Sequence, residues 1–187
     1  MKPNKIQTVA VYCSASVKID PLYLDAAREV GEELARRQLT MIYGGSTRSM
    51  MGAAAEAVMT HGGRVIGFIP KHLKKIEVPK DDITELHLVD TSHIRKHLMF
   101  EHSDAFFILP GGFGTLDETF EIIARKDLKL HEKPIIFINV NGYWDALSVM
   151  VKNIFDQNFA RSEDKDLFQI VSSVSEAFQV LLGEKND

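Results

Sequence analysis

Three groups of residues in the chain have the types and spacing to do chemistry. They are the glycine turn Gly111-Gly112-Phe113-Gly114-Thr115, the carboxylate of Glu118 just beyond it, and the guanidinium of Arg95. The turn follows the unbroken apolar run Ala105 to Leu109, the pattern of a strand buried on both faces of a parallel sheet. Pro110 stops that run, because proline cannot donate to a sheet ladder. Thr115 is expected to open a helix whose buried stripe is Leu116, Phe120, Ile123 and Ala124. A glycine loop between a strand's carboxyl end and a helix's amino end gathers unpaired N–H groups in the positive field of the helix dipole. Such a turn binds anions, and phosphate is the expected guest. Neither common phosphate fingerprint fits: Asp117 stands where the last glycine of G-x-G-x-x-G would be, and no G-K-[ST] follows.

Glu118 has two readings. In Thr115-x-x-Glu118 the glutamate could simply close a capping box, returning a hydrogen bond to the N–H of the cap. It also lies off the apolar stripe at the mouth of the anion loop. A carboxylate beside bound phosphate is tolerated only opposite something electropositive, such as an oxocarbenium-like sugar carbon. Arg95 is the second anomaly. At about 100° per residue it projects between Leu98 and Met99, inside the apolar stripe of its helix. Burying an unpaired guanidinium is very unfavourable, so it either forms a structural ion pair, snorkels, or faces a ligand. Other candidates are weaker. His93 and His97 stand four apart, but Ile94 replaces the glutamate of H-E-x-x-H and no third ligand is apparent, so no metal is expected. Ser14 and Ser16 lack a nucleophile elbow. Lys71, Lys74 and Lys75 read as a solvated face.

The elements that must position these groups alternate along the chain. Strands are expected at Ile6 to Tyr12, Leu39 to Tyr43, Val65 to Ile69, Glu85 to Val89, Ala105 to Leu109, Pro134 to Val140 and Leu167 to Val171. A helix capped by Asp20 with Pro21 in its first turn follows the first strand. Others cover Ala53 to Met59, Ser92 (as cap) to Ser103, the stretch from Thr115, Tyr143 to Gln157, and Ser173 to Gly183. Lys71 to Asp82 reads as a mobile surface excursion. Roughly seven strands alternating with six helices predict an α/β, Rossmann-like, doubly wound parallel sheet with helices on both faces. Residues 1–187 are expected to form a single nucleotide-binding domain. In such sheets ligands sit beyond the carboxyl ends of the strands. A second glycine-bearing loop, Gly44-Gly45-Ser46, reaches the same edge.

Composition narrows the classes. Lys plus Arg at 22 against Asp plus Glu at 26 leaves a net charge of −4, which disfavours nucleic acid and anionic membranes as partners. Cys13 is the sole cysteine, so no intramolecular disulfide can form. With neither a signal-peptide core nor a membrane-length apolar stretch, a cytoplasmic protein is expected.

Pro110-Gly111-Gly112-Phe113-Gly114-Thr115-Leu116-Asp117-Glu118 resembles the P-G-G-x-G-T-x-x-E signature of the Lonely Guy (LOG) family. Those proteins are cytokinin riboside 5′-monophosphate phosphoribohydrolases, often labelled lysine decarboxylases. The family's M-H-x-R-K-x-x-M stretch is matched by His93, Arg95, Lys96 and Met99, with Ser92 in place of the first methionine. Tyr43-Gly44-Gly45, Met51-Gly52, His131-x-Lys133-Pro134 and Asn139-Val140-Asn141-Gly142-Tyr143 extend the likeness from Val9 to about Phe159. The resemblance implies hydrolysis of the N-glycosidic bond of a nucleoside 5′-monophosphate, AMP or an N6-modified AMP, to free base and ribose 5-phosphate. It implies catalytic roles for Arg95 and Glu118. It also implies substrate or phosphate contacts from Gly111, Gly112, Phe113, Gly114, Thr115, Lys96, Gly45, Ser46 and Met99, with neither metal nor cofactor. A homodimer is implied as well, and the Ala/Met-rich helix after Gly52 and the Met99-Phe100 region are its expected apolar surfaces. The chain departs from the family at Ser46, Arg48 and Ser49, at Cys13-Ser14-Ala15-Ser16, and at Arg125-Lys126-Asp127-Leu128-Lys129, positions expected to shape the base and ribose side of the pocket. The alternative is a non-catalytic carrier of a nucleotide or pterin cofactor on the same fold.

Overall fold

A computed structural model of the chain describes residues 6–75 and 82–184. In chain order the elements are β1 (Thr8–Tyr12), α1 (Pro21–Arg36), β2 (Thr40–Tyr43), α2 (Ser49–Thr60), β3 (Val65–Pro70), β4 (Glu85–Val89), α3 (Ser92–Glu101), β5 (Ala105–Ile108), α4 (Phe113–Asp127), β6 (Ile135–Ile138), α5 (Asp145–Asp156), β7 (Gln169–Val171) and α6 (Val174–Leu182). Of the expected excursion, Lys71–Lys75 forms a short 3-10 helix, and residues 76–81 lie outside the described residues. The strands form one seven-stranded sheet in the order β4-β3-β2-β1-β5-β6-β7. Every pairing is parallel. The chain winds from β1 outward to β4 and then returns to lay β5 against the free side of β1, with Val9 opposite Ala105 and Tyr12 opposite Ile108. Winding reverses between β1 and β5, which makes their carboxyl ends the topological switch point.

Alternate side chains of the strands feed two cores. Val9, Val11, Met41 and Tyr43 pack with α1, α2 and α6 through Val30, Leu34, Val58 and Phe178. Ala10, Tyr12, Ile42 and Phe106 pack on the other face with Met99 and Phe100 of α3, Ile122 of α4 and Leu147 of α5. Helices α1 and α2 approach so closely that a Cβ on Gly31 would meet the Ala54 carbonyl oxygen at 2.4 Å. The surfaces expected to make a dimer are therefore used inside the fold. Met50, Met51, Ala54, Ala55, Ala57 and Val58 are buried, as are Met99 and Phe100.

Three local expectations are corrected. Thr91, not Ser92, caps α3, accepting from the Ile94 N–H. Helix α5 begins at Asp145, after a 3-10 turn over Val140–Gly142. Helix α4 starts at Phe113 with Gly112 as its cap, and it buries Thr115, Thr119 and Ile122. The expected stripe is split: Leu116 and Ile123 pack partly buried against the core, while Phe120, 38% exposed, and Ala124 face outward. Threonines can turn inward because Thr119 Oγ1 donates to the Thr115 carbonyl oxygen at 2.6 Å and so needs no other partner.

Candidate active site

A cleft of about 250 Å³ opens at the switch point, lined by Cys13 to Ser16, Met51, Arg95, Gly112, Gly114, Thr115 and Glu118. Four elements contribute. The segment after β1 is held against the glycine loop by Ser14 N–H donating to the Pro110 carbonyl oxygen at 3.2 Å. The loop itself is set by Gly111, where a Cβ would meet Thr115 Oγ1 at 2.1 Å. Only glycine lets the chain fold down onto the first turn of α4 there. Gly112 caps α4 without a side-chain hydrogen bond, so the first N–H groups of the helix have no intrahelical acceptor. They form the positive end of the cleft.

Because Gly112 is the cap, Thr115 sits in the first turn of α4, and the capping-box reading of Glu118 falls. The carboxylate turns instead to Arg95, with Nη2 to Oε1 at 3.3 Å and the two side chains 11% and 13% exposed. Arg95 arrives from α3 as a buried residue, as its place in the apolar stripe required. Its room comes from β2: a Cβ on Gly44 would stand 2.0 Å from Arg95 Nη2. The contact to Glu118 is long, and Arg95 Nε has no partner among the described residues. A guanidinium carries five donors in a planar fork, so this one keeps donors for a ligand. Two buried groups beside the pair are held in their protonated forms. Burial, and then the Glu118 carboxylate, push the Cys13 thiol far above its ordinary range, with Arg95 opposing. The same causes, in the same order, raise the Tyr12 phenol.

The other expected site residues divide. Gly111 shapes the loop behind the cleft without lining it, and Phe113 projects outward from the loop at 92% exposure. Lys96 lies one residue past Arg95 on the outer side of α3, its ammonium bound to Asp117 and Glu121 at 2.9 and 2.8 Å. Burial alone would lower its pKa, but the hydrogen bonds that the ammonium donates to Glu121 and Asp117 prevail and raise it. Gly45, at φ +78°, makes a packing turn against Ile69 and Leu86. Ser46 is fully buried and accepts from the Arg48 N–H at 3.2 Å. Met99 belongs to the core under the sheet. The cleft therefore joins Arg95, Glu118, Gly112, Gly114 and Thr115 but not Lys96, Gly45, Ser46, Met99 or Phe113. Cys13 to Ser16, expected to shape the pocket, do line the cleft, whereas sequence reasoning missed Met51 as a lining residue and Gly44 as the space for Arg95. Among the described residues no group of His, Cys, Asp and Glu could hold a metal ion, and no helix is long and apolar enough to cross a membrane.

The family model described as "Possible lysine decarboxylase" matches residues 51–181. The cytokinin riboside 5′-monophosphate phosphoribohydrolase LOG5 of Arabidopsis thaliana is 35% identical over 178 residues, which span 95% of this chain and 78% of the relative. The chain belongs to the LOG family. A second relative, the probable cytokinin riboside 5′-monophosphate phosphoribohydrolase LOGL9 of Oryza sativa subsp. japonica, is 41% identical over 165 residues, or 88% of this chain and 73% of that one. Among solved structures, the molybdenum cofactor binding protein from Rippkaea orientalis has a TM-score of 0.72 at 17% identity, covering 96% of this chain and 98% of that one. The Moco carrier protein from Chlamydomonas reinhardtii has 0.71 at 18%, covering 97% and 100%. At that identity the likeness is one of fold. A decarboxylase of the pyridoxal-phosphate type needs a lysine to carry its cofactor, and among the described residues no lysine lines this LOG-family cleft.

Proposed function

We propose that this protein hydrolyses the N-glycosidic bond of a nucleoside 5′-monophosphate, AMP or an N6-modified AMP of the cytokinin riboside type, to free base and ribose 5-phosphate. The observation that carries this reading is the Arg95–Glu118 pair, buried, loosely joined and facing the unfilled N–H groups of α4. The 5′-phosphate takes those N–H groups at Gly112, Gly114 and Thr115. The ribose then lies beside Glu118. As the C1′–N bond breaks, its electron pair leaves on the base and positive charge builds at C1′. The Glu118 carboxylate stabilises that charge and takes the proton of the water that adds to C1′, and transfer of that proton to the departing base nitrogen gives the neutral base and regenerates the carboxylate. The free donors of Arg95 hold the phosphate or the departing base. A carrier has no use for a carboxylate beside a phosphate, and the carrier alternative rests on fold likeness alone.

The test is a panel of nucleoside monophosphates, including the N6-isopentenyl form, assayed for released base with wild-type protein and Glu118→Gln. The substitution keeps size and should leave the melting temperature nearly unchanged while base release falls at least about a hundredfold. Undiminished turnover by Glu118→Gln, or equal turnover of AMP and adenosine, overturns the reading.

We infer also that the working unit is a homodimer, formed through a different surface from the one expected. A groove of about 1070 Å³ between α4 and α5 is lined by Phe120, Ile123, Val151, Ile154, Phe155 and Phe159. Phe159 is 85% exposed. A contiguous apolar surface of this kind marks an interaction site, and the displaced stripe of α4 supplies one wall. The wild-type protein should sediment at twice its 21.0 kDa chain mass and Phe159→Asp should shift it toward monomer. A wild-type monomer at micromolar concentration contradicts this.

A further inference from the structure

We propose that Tyr143 is a positioning residue for the phosphate loop, fixing the orientation of the Gly111–Gly112 peptide so that its N–H serves the ligand. This rests on the proposed function. Tyr143 belongs to the Asn139-Val140-Asn141-Gly142-Tyr143 stretch, which the proposed mechanism leaves without a task. Its hydroxyl donates to the Gly111 carbonyl oxygen at 2.7 Å, across from the loop of one strand to the turn after its neighbour. A trans peptide is planar, with its C=O and N–H pointing in opposite directions. Drawing the Gly111 carbonyl toward Tyr143 therefore sends the Gly112 N–H the other way, and Gly112 lines the cleft. Gly111 and Gly112 have no side chains to restrain the peptide themselves, and glycine lets it turn over readily. An external hydrogen bond is what selects one orientation.

The surroundings of Tyr143 are built to aim it. Asn139, after β6, is anchored by its N–H to the Val171 carbonyl oxygen at 2.8 Å. Its side chain accepts from the Trp144 N–H at 2.7 Å and donates to Asp145 Oδ1 at 2.8 Å. Asn141 at φ 52° and Gly142 at φ 71° then turn the chain back on itself. A Cβ at Gly142 would stand 2.7 Å from Asp145 Oδ2, so the close turn also needs glycine. The ring is held edge-on by Trp144, with centroids 4.9 Å apart, and by Tyr23 of α1 at 5.9 Å. Tyr143, 42% exposed, thus reaches the loop as a donor braced by two rings.

Tyr143→Phe keeps both ring contacts and removes only the donor. Binding of ribose 5-phosphate, followed by calorimetry, should weaken by about tenfold, the worth of one hydrogen bond. The KM for the nucleoside monophosphate should rise in step while kcat stays within about twofold, since uniform binding is what is lost. Unchanged ribose 5-phosphate affinity in Tyr143→Phe, with wild-type binding intact, overturns the proposal; a lowered melting temperature alone then marks the bond as structural. If the wild-type protein itself fails to bind ribose 5-phosphate, the phosphate-site reading fails first and this proposal with it.

Discussion

Helices α3 and α4 meet through two sets of charges, one residue apart in sequence and opposite in character. The outer set is Lys96 with Asp117 and Glu121, extended by Arg125 to Glu121 at 2.9 Å. Its contacts are short, and the ammonium donates to both Asp117 oxygens, at 2.9 and 3.1 Å. The inner set is Arg95 with Glu118, buried, at 3.3 Å, with a donor of the guanidinium left over. Coulomb attraction and burial would both draw the inner pair closer if joining the helices were its task. The outer charges hold the helices together. The inner pair is joined by one longer contact and has hydrogen-bonding capacity in reserve, as a ligand site requires.

Three substitutions break or sharpen that contrast, beginning with the largest effect. Arg95→Ala leaves the Glu118 carboxylate buried without its counter-charge. Base release should fall by about 10²–10³-fold, the usual loss for an electrostatic stabiliser. Thermal denaturation should also show a loss approaching the 3–5 kcal/mol typical of a broken buried pair. A variant that loses stability but not turnover would reduce Arg95 to a structural role. Gly44→Ala acts on the same guanidinium without removing it. The added methyl must displace Nη2 and with it the contact to Glu118, so the melting point should fall, though by less than in Arg95→Ala, while turnover drops about tenfold or more. Full activity in Gly44→Ala would mean that Arg95 is not held in a working position from this side.

Lys96→Met has the smallest expected effect. Its partner Asp117 is well exposed, so the outer network contributes at most about 1 kcal/mol. Turnover and KM should stay within about twofold, a change detectable by steady-state kinetics but far below the inner pair's. A large rise in KM for the nucleoside monophosphate would instead show the ammonium leaving Asp117 for the phosphate, and would restore the contact that the family resemblance implies for Lys96.

Much of this arrangement is written in the chain's local patterns. Apolar runs and helical periodicity determine the order of strands and helices, and alternation of the two determines a parallel sheet covered on both faces. The glycines after β5 determine where an anion can approach, because only they tolerate the backbone there. A guanidinium inside an apolar stripe marks Arg95 as an anomaly that must pair, snorkel or face a ligand, without choosing among them. Each of these follows from a residue's own conformational range or from neighbours within a turn or two. The remainder depends on contacts between residues far apart in sequence. The rotation of α4 about its axis, which buries Thr115 and Thr119 and turns Phe120 outward, follows from how closely its first turn folds under Gly111. That same rotation turns Glu118 toward Arg95 and Asp117 toward Lys96. Whether the Ala/Met face of α2 meets another chain or its own α1 is likewise invisible in periodicity, since an apolar stripe looks the same against either. Only the packing of α2 against α1 and the sheet decided it, through the missing side chain of Gly31.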